Sequence, residues 1–513
     1  MTVSIYPTQY TENLGKIGTY FTIFKVDVLV ELKWTRQVKM DRRHFKTIDS
    51  VSHIWDTLGL PPEALRSLHL IEDGDCLPSS FKVGHLAHAC IALSGLAASL
   101  YYAIRRHAAI PKVTVPLEHA CIEFKSERYY VLNDNPAPSS WVTIGGLHKT
   151  SDGYVRMHDA FPNHRNNALR ILGLSECASR EEVASKMLQW KSTELELTAF
   201  KQGAVIVVLR NFAEWDILPQ AKSIPDYPIL LQKLNDQKPW IPILPISLDE
   251  EKCLRGVRVV EMSRVIAAPV AGKTLAAHGA DVIWVTSPTL PDLPDLDIDL
   301  GRGKRSVQLN IKNAQDKIKL LELLSTADVF IQGYRPGSLA RQGLSTEELI
   351  KLNPSLIVAN LSAWGLDGPW SDHRGFDSLV QTCSGINVAD AESHGQGESM
   401  RILPCQAFDH GAGYLLATGI MAALYKRAIE GGAYEVHVSL AGVMRYLRSL
   451  GQHAGGFTRG TYTKAQELQQ YLETRDTSFG KLTAISHSVS IDGIKVGWDA
   501  MPKPLGSDEA VWL

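Results

Sequence analysis

The chain has 513 residues, of which 45% are hydrophobic and 21% are charged. This length and composition are typical of a globular protein with at least two domains. The formal net charge of −2 offers no basic excess that would attract nucleic acid or an acidic membrane surface, so we expect neither partner. The seven cysteines include no Cys-x-x-Cys pair, which argues against a disulfide framework and a zinc site and favours a reducing compartment.

The ends of the sequence carry no targeting pattern that we can identify. The first residues lack the charged, apolar and small-residue succession of a secretory signal, and no apolar run reaches ~18 residues. The last residues read Val-Trp-Leu, which is not the peroxisomal Ser-Lys-Leu signal. We therefore expect a cytoplasmic protein with no membrane-spanning segment.

Residues 1–45 have no clear periodicity, and we expect them to form an N-terminal extension. The stretches "SVSHIWDTLGLPPEALRSL" and "VGHLAHACIALSGLAASLYYAIRR" then predict helices, and "KVTVPLEHACIEF" predicts a strand followed by a helix. We assign strands to "SERYYVLN" and "GAVIVVL", and a helix begins at the capping box of Ser179 and Glu182. The segment "QKPWIPILPISLDEEKC" predicts a linker, with a domain boundary near residue 250.

Beyond residue 250, strand and helix patterns alternate. The stretches "GVRVVEM", "ADVIWV", "SVQLNI", "DVFIQGY" and "SLIVANLS" predict strands, and helical patterns of about a dozen residues separate most of them. This alternation predicts a parallel sheet with helices on both faces, an α/β architecture that is Rossmann-like. No Gly-x-Gly-x-x-Gly follows the first strand, so the dinucleotide reading is weak. Ligands of such sheets bind at the carboxyl ends of the strands, which points to "SRVIAAP", "QGYRPGS" and "SAWGLDGP".

The two parts of the chain contain similar helical segments. "HLAHACIALSGLAASLY" begins at His85 and "DHGAGYLLATGIMAALY" begins at Asp409, and the strand-like stretches "KVTVPLEHA" and "YEVHVSLAG" follow them. The similarity predicts a duplicated unit, in which His85 occupies the position of Asp409. The alternative is a chance likeness of two apolar helices.

Asp409 is a charged residue directly ahead of an apolar helix, and two explanations are open. Aspartate is a favoured N-cap, since its carboxylate can accept hydrogen bonds from the unpaired amides of the first turn. Alternatively, Asp409 is a nucleophile held at a helix N-terminus, where the macrodipole favours an anion.

Five motifs together resemble the class III CoA-transferases of the CaiB/BaiF type. They are "LRGVRVVEMSRVIAAPVAGKTLAAHGADVIWV", "GRGKRSVQLNI", "ADVFIQGYRPGSLARQGL", "NPSLIVANLSAWGLDGPW" and "QAFDHGAGYLLATGIMAALYKR", in the family's order and at its spacing. The resemblance is strong from residue 254 to about 447. It implies a Rossmann-like CoA-binding catalytic domain at 251–450, a degenerate duplicated CoA-transferase-like half at 46–250, and a C-terminal segment, 451–513, that returns to the large domain. It also implies a smaller α+β domain. In this reading the chain is a long, two-half member of the family.

The resemblance also implies the reaction and its site. CoA would pass from an acyl-CoA thioester to a carboxylic acid through an anhydride and a CoA thioester on Asp409, which matches the family's aspartate. Coenzyme A is then part of the substrate, and no permanently bound cofactor or metal is expected. The small residues Gly411, Ala412 and Gly413 would let the thioester approach the backbone, whose amides could stabilise the oxyanion. A homodimer is possible, as in other members.

CoA contacts are carried over position by position. The positions that match the family's backbone contacts to the adenosine and pantetheine parts are Val265, Ile266 and Ala267. Those that match its contacts to the nucleotide and phosphates are Lys304, Tyr334, Arg335 and Arg341. Cations form charge-assisted bonds with phosphates and a tyrosine ring can stack on adenine, although the two arginines could also be merely solvated. Many members have an acidic residue and an arginine after the second strand, where this chain reads Val-Thr-Ser-Pro.

Two other functions compete with CoA transfer. The α-methylacyl-CoA racemases and epimerases share this fold and aspartate but use a second proton-carrying group, a histidine, where this chain has Phe376. His373 and His410 are near enough in sequence to substitute, although each is more typical of a surface or packing residue. A non-catalytic acyl-CoA-binding protein is the second alternative, and it would bind the thioester without exchanging label.

Overall fold

The computed structural model describes residues 40–138, 144–237, 252–454, 462 and 465–513. The predicted extension at 1–45 and the predicted linker before residue 254 lie largely outside the described residues. The predicted domain boundaries therefore stay predictions.

The described part before residue 238 contains short strands and helices around one long helix. The helices are α1 Thr47–Thr57, α2 Val83–Arg106, α3 Leu117–Glu123, α4 Ser126–Tyr129, α5 Pro162–Leu172, α6 Arg180–Met187, α7 Ser192–Gln202, α8 Phe212–Asp216 and α9 Pro219–Ser223. The strands are β1 Leu68–Ile71, β2 Val113–Pro116, β3 Val131–Leu132, β4 Asn135–Pro136, β5 Gly146–Lys149, β6 Tyr154–Met157, β7 Ile206–Val208 and β8 Ile229–Lys233. The Ser179 capping box is confirmed at the start of α6.

From residue 252 onward, strands and helices alternate as the sequence predicts. The strands are β9 Arg258–Met262, β10 Asp281–Thr286, β11 Lys304–Gln308, β12 Val329–Gln332, β13 Ile357–Ser362, β14 Tyr434–Ser439, β15 Leu472–Thr477, β16 Gly480–Ile485 and β17 Ser490–Ile491. The helices are α10 Ala267–Ala277, α11 Pro294–Leu300, α12 Ala314–Ser325, α13 Thr346–Leu352, α14 Asp377–Cys383, α15 Ile386–His394, α16 Ala407–Glu430 and α17 Leu440–Ser449.

A seven-stranded sheet organises this part of the molecule. Its strand order is β11-β10-β9-β12-β13-β14-β8, and all neighbours are parallel except β8, which pairs antiparallel with β14. The predicted parallel sheet is thus confirmed, with an added edge strand from before residue 250. The order reverses between β9 and β12, so the loops after these strands diverge and leave a crevice at the carboxyl edge.

Both faces of the sheet are buried. Successive residues of one strand point to opposite faces, and Val259 and Val260 accordingly belong to different hydrophobic clusters. The cluster of Val259 also contains residues of α10 and α16, whereas that of Val260 contains residues of α12 and α13. Helices therefore cover each face, as continuous apolar parallel strands require.

Smaller sheets surround this core. One has the order β1-β2-β17, a second β15-β16-β3-β4, and a third β5-β6-β7. Two of them pair residues before 140, in the predicted degenerate half, with residues after 470. The predicted return of residues 451–513 to the large domain stays a prediction. Among the described helices, only α2 is long and apolar enough to cross a membrane, and 94% of its apolar window is buried inside the protein.

Helices α2 and α16 pack against each other. Each has 24 residues and is followed by a strand and a helix, and His85 and Asp409 are each the third residue of their helix. This shared order is compatible with the predicted duplication, which stays a prediction. In the structure, His85 is hydrogen-bonded to Ser50 through Nε2 at 2.7 Å.

The predicted strand at "SERYYVLN" is wrong for its first half, which forms α4. Ser126 donates a hydrogen bond to Asp299 Oδ2 at 2.6 Å, and Glu127 contacts His410 Nε2 at 3.0 Å. These partners lie more than 170 residues away in sequence. Tertiary polar contacts therefore override the weak local preference for a strand.

Candidate active site

Asp409 lies at the N-terminal end of α16, but it does not cap that helix. The carboxylate of Asp377 takes this role: its Oδ2 accepts hydrogen bonds from the backbone amides of Phe408, at 2.7 Å, and Asp409, at 3.0 Å. Within the described part of the chain, no residue donates a hydrogen bond to the Asp409 carboxylate, which borders two adjoining cavities. The capping explanation for Asp409 is therefore wrong, because a different carboxylate satisfies those amides.

The small residues after Asp409 serve helix packing. A Cβ added to Gly413 would lie 2.5 Å from the carbonyl oxygen of Ala267, and one added to Gly411 would lie 3.0 Å from Val443. The close approach of α10 and α16 at Gly413 brings the loop after β9 beside Asp409. The expectation that these residues leave room for a thioester at the backbone is thus not met, since protein atoms fill that space.

Two neighbouring carboxyl groups at this site have perturbed pKa values. Burial raises the pKa of Asp409 well above its ordinary value of 3.8, and the charges of Asp377 and Glu127 raise it further. Burial also raises the pKa of Asp377, to about 6, against the lowering effect of the hydrogen bonds that it accepts. Asp409 is therefore a more basic carboxylate than the ordinary aspartate expected from the sequence, and it needs a higher pH to ionise.

The larger cavity has a volume of about 330 Å³ and lies at the carboxyl ends of the parallel strands. Its walls include Val265 after β9, Tyr334 after β12 and Ala363 after β13. These positions fall in the three stretches at which the sequence predicts ligand binding, because parallel strands end at the same edge of the sheet. The cavity thus occupies the crevice where the strand order reverses.

The loop after β9 contains a strained residue. Val265 has φ of 71°, a left-handed conformation that is a genuine outlier for a β-branched side chain. Such a conformation costs on the order of 1–3 kcal/mol and persists only where the surrounding structure enforces it. Val265 borders both cavities together with Asp409, so the strain lies at the candidate site.

Most of the predicted CoA-contacting residues come together here. Val265, Ala267, Tyr334 and Arg335 line the larger cavity, and Ile266 lines the smaller one.

The remaining two residues predicted to contact CoA lie elsewhere. Lys304 is buried, its Nζ pairs with Glu261 Oε1 at 2.9 Å, and it donates to the carbonyl of Pro269 at 2.8 Å. Arg341 is exposed on a short 3₁₀ turn, Ala340–Gln342, and is not among the cavity-lining residues. The structure does not bring Lys304 or Arg341 to the cavity, because Lys304 is held in an internal ion pair and Arg341 is exposed on its turn.

The sequence interpretation missed two further cationic residues at the larger cavity. Arg264 and Arg374 line the larger cavity with Arg335, and neither Arg335 nor Arg374 forms an ion pair with a described acidic residue. Arg264 lies over the Phe161 ring at 4.7 Å from its centroid and donates to the carbonyl of Pro291 at 2.6 Å. Two unpaired guanidinium groups at one cavity create a favourable environment for an anion.

Residues 158–164 supply a wall of both cavities from a distant part of the chain. Phe161 and His164 line the larger cavity, and His158 lines the smaller one. The rings of His158 and Phe376 stack with centroids 3.8 Å apart and an interplanar angle of 4°. No local motif marks this segment, whereas Asp377 could have been noticed as the acidic neighbour of Phe376.

The two histidines considered as proton carriers differ in position. His373 lines the larger cavity and packs on Phe200. His410 is buried, contacts Glu127 and stacks on Phe124, and it does not line either cavity. Among the described residues, no group of three or more His, Cys, Asp or Glu side chains could hold a metal ion.

Comparison with known proteins identifies relatives of one kind. The family model described as CoA-transferase family III matches residues 254–473. A Gibberella moniliformis protein named acyl-CoA transferase is 29% identical over 59% of this chain and 51% of its own length. A formyl-CoA:oxalate CoA-transferase of Rhodopseudomonas palustris is 34% identical over 38% of this chain and 48% of its own length. This chain spans about half the length of the curated relatives it matches.

Solved structures give matches of similar extent. The crystal structure of Rv3272 from Mycobacterium tuberculosis is 32% identical, with a TM-score of 0.37, and the match covers 39% of this chain and 57% of that one. A CaiB/BaiF family protein from Brucella suis is 25% identical, with a TM-score of 0.35, over 45% of this chain and 65% of that one.

Proposed function

We propose that this chain transfers CoA from an acyl-CoA thioester to a carboxylic acid, because residues 254–473 match the model of CoA-transferase family III. Asp409 is the proposed nucleophile. The observation that carries the proposal is a buried carboxylate that faces a cavity at the carboxyl edge of a parallel sheet while Asp377 satisfies the amides of its helix. Asp409 therefore has no structural duty that explains its charge.

The reaction needs only the carboxylate and the two substrates. An Asp409 oxygen attacks the thioester carbonyl, and the carbon–sulfur bond breaks. CoA thiolate departs, and a mixed anhydride of Asp409 and the donor acyl group remains. The thiolate then attacks the aspartyl carbonyl and releases the donor acid, which leaves an aspartyl-CoA thioester. The acceptor carboxylate attacks this thioester, the carbon–sulfur bond breaks, and CoA thiolate departs as a second mixed anhydride forms between Asp409 and the acceptor. The thiolate then attacks the acceptor's acyl carbon, which frees the Asp409 carboxylate and the new acyl-CoA.

The raised pKa of Asp409 has two opposing consequences. A carboxylate with a higher pKa is a stronger nucleophile once it is ionised, but a larger fraction is protonated at a given pH. The electrophile is the carbonyl carbon of the donor thioester. When this uncharged thioester group approaches, it displaces water from the Asp409 carboxyl, which is already buried. We expect kcat/KM to rise with pH as Asp409 ionises.

The CoA moiety is proposed to lie in the larger cavity. Arg335 and Arg374 are cations without an acidic partner in the described residues, which suits the phosphates, and Tyr334 offers an aromatic face for adenine. Val265 and Ala267 would contact the pantetheine arm through their backbone. The strand order β11-β10-β9-β12-β13-β14 matches that of doubly wound dinucleotide-binding sheets, which supports a Rossmann-like CoA-binding domain. The duplicated half, the homodimer and the cytoplasmic location stay predictions.

The racemase alternative is less well supported. Phe376 cannot carry a proton, and burial lowers the pKa of the His158 ring stacked on it to about 3, which makes that imidazole a weak base. Incubation of an α-methylacyl-CoA in deuterated water would detect racemisation as label at the α-carbon. We expect no incorporation.

The decisive experiment compares wild type with Asp409→Asn in acyl exchange between labelled carboxylic acids and a panel of acyl-CoAs. We expect Asp409→Asn to abolish exchange and to unfold at the same or a higher urea concentration than wild type, since it removes a buried charge but no cap. Hydroxylamine added to wild type with acyl-CoA should modify Asp409 and no other carboxylate. The matched control is Asp492→Asn, an exposed residue far along the chain, which should exchange normally.

Two results would contradict the proposal. Exchange by Asp409→Asn at the wild-type rate would remove Asp409 from the chemistry. Binding of acyl-CoA by wild type without exchange of any label would favour the non-catalytic alternative.

A further inference from the structure

The two cavities that meet at Asp409 differ in size and chemistry. They share Val265, Phe376 and Asp409. The larger cavity is lined by the three arginines at positions 264, 335 and 374. Among the described residues, no lysine or arginine lines the smaller one. Most of its wall is apolar, with Ala160, Ile266, Leu293, Leu296 and the ring of Phe376. A thioester carbonyl at Asp409 would thus have a cationic space on one side and an apolar space on the other.

The smaller cavity is also very small. Its volume is about 20 Å³, and a single water molecule needs ~10–15 Å³ measured in this way. There is room for one or two carbon-sized groups beyond the carbonyl.

The wall that closes the smaller cavity is held from both parts of the chain. The His158 backbone amide donates to the carbonyl of Val205 at 2.9 Å, which continues the pairing of β6 with β7. The next residue, Asp159, accepts a hydrogen bond from the amide of Gly145 at 2.8 Å. His158 then stacks face to face on Phe376. Widening the cavity would require separating these two rings, so the stack and the two hydrogen bonds fix the position of the wall.

Charge restricts the occupant further. Asp377 and Asp409 both border the smaller cavity. A second carboxylate on the acyl group would lie beside them, and like charges at such distances in a buried site repel strongly. An acyl group that ends in a methyl group has no such cost.

We propose that the smaller cavity is the acyl site and that it selects an uncharged acyl group of two or three carbons, with Phe376 and Ala160 as the residues that set the length limit. The inference rests on the proposed function for the identity of the ligand. It assigns residues 158–160, which carry no catalytic group, to substrate selection. A transferase with this site would take acetyl-CoA or propionyl-CoA as donor and would discriminate against long-chain and dicarboxylic acyl groups.

The test uses binding, which does not depend on turnover. The full chain is titrated calorimetrically with CoA thioethers that cannot react: S-ethyl-, S-propyl-, S-pentyl- and S-octyl-CoA, and S-carboxymethyl-CoA. For wild type, the propyl compound should bind roughly fourfold more tightly than the ethyl compound, since one more methylene is buried. The pentyl compound should bind at least ~10-fold more weakly than the propyl compound, and the carboxymethyl compound more weakly than the ethyl one.

Two substitutions should move the limit in opposite directions. Phe376→Ala enlarges the cavity, so the pentyl compound should bind at least as tightly as the propyl compound. Ala160→Val fills it, so the propyl compound should lose at least ~10-fold relative to the ethyl compound. If Phe376→Ala does not fold, Ala160→Val still tests the inference. Asp492→Asn, an exposed position that borders neither cavity, is the control and should leave the propyl-to-pentyl ratio unchanged.

The outcomes separate this inference from the proposed function. Equal binding of propyl and octyl compounds to wild type, or length profiles that neither substitution alters, would overturn the acyl-site inference even if exchange proceeds. Length-selective binding without any acyl exchange would support the acyl site and overturn the proposed function. Failure of every CoA derivative to bind would overturn both.

Discussion

Replacing Asp377 by asparagine should change how the stability of the protein depends on pH. Asp377 is buried, its pKa rises from 3.8 to about 6 on folding, and burial is the main cause. Because the folded pKa lies above the unfolded one, the contribution of Asp377 to stability is fully present below pH ~4 and is lost as pH rises through about 6. At 1.36 kcal/mol for each pH unit between the two pKa values, the full loss is about 3 kcal/mol.

Roughly half of this loss falls in an accessible window. Between pH 5 and pH 8 the free energy of unfolding of wild type should decrease by about 1–2 kcal/mol through Asp377 alone. Asp377→Asn lacks this titration, and it also removes the charge that raises the pKa of Asp409, which acts in the same direction. The asparagine side-chain oxygen can still accept from the amides of Phe408 and Asp409, but its amide group replaces the oxygen that accepts from Gln381 Nε2. That loss of stability does not depend on pH, so the change between two pH values isolates the titration.

The assay is urea unfolding of both proteins at pH 5 and at pH 8. The difference in unfolding free energy, Asp377→Asn minus wild type, should be about 1–2 kcal/mol more positive at pH 8 than at pH 5. The exposed Asp492→Asn should show the wild-type pH dependence. A pH dependence that is identical in wild type and Asp377→Asn would refute the argument that this carboxyl is titrated across the window by its burial.

The other predictions concern the CoA cavity and its supports. Arg335→Ala should weaken CoA binding by about 1.5–3 kcal/mol, the value of a hydrogen bond to a charged group, whereas Arg341→Ala should leave the dissociation constant within about twofold; equal effects in calorimetry would contradict the assignment of the cavity. Lys304→Met should lower the free energy of unfolding by roughly 3–5 kcal/mol, because it leaves the buried carboxylate of Glu261 without its cation, and it should not change CoA affinity. A variant as stable as wild type but with weakened CoA binding would place Lys304 in the CoA site. Val265→Gly should raise the free energy of unfolding by about 1 kcal/mol, since glycine accepts the positive φ, and should weaken CoA binding because the loop loses its fixed shape. Urea unfolding measures the first effect and a CoA titration the second. A destabilised variant that binds CoA normally would contradict the argument that Val265 is strained.

The order of strands and helices after residue 252 could be predicted because each depends on a local pattern. Apolar runs bounded by turn residues specify buried strands, and apolar residues at helical spacing specify the helices that cover them. The carboxyl ends of those strands then had to meet at one edge, which is why Val265 and Tyr334 could be expected beside each other. A local pattern also identified Asp409, because a single carboxylate directly precedes a long apolar helical stretch.

The partner of each polar side chain was decided only by the tertiary structure. The sequence shows two aspartates near this site, but whether Asp377 or Asp409 bonds the helix amides depends on how α14 and α16 pack. Lys304 looks like a phosphate ligand until Glu261 is found opposite it in the sheet core. The stack of His158 on Phe376 joins residues more than 200 positions apart, and such long-range contacts leave no periodicity in either segment. Local periodicity records which face of an element is buried, whereas the identity of the group that meets that face depends on the packing of the whole chain.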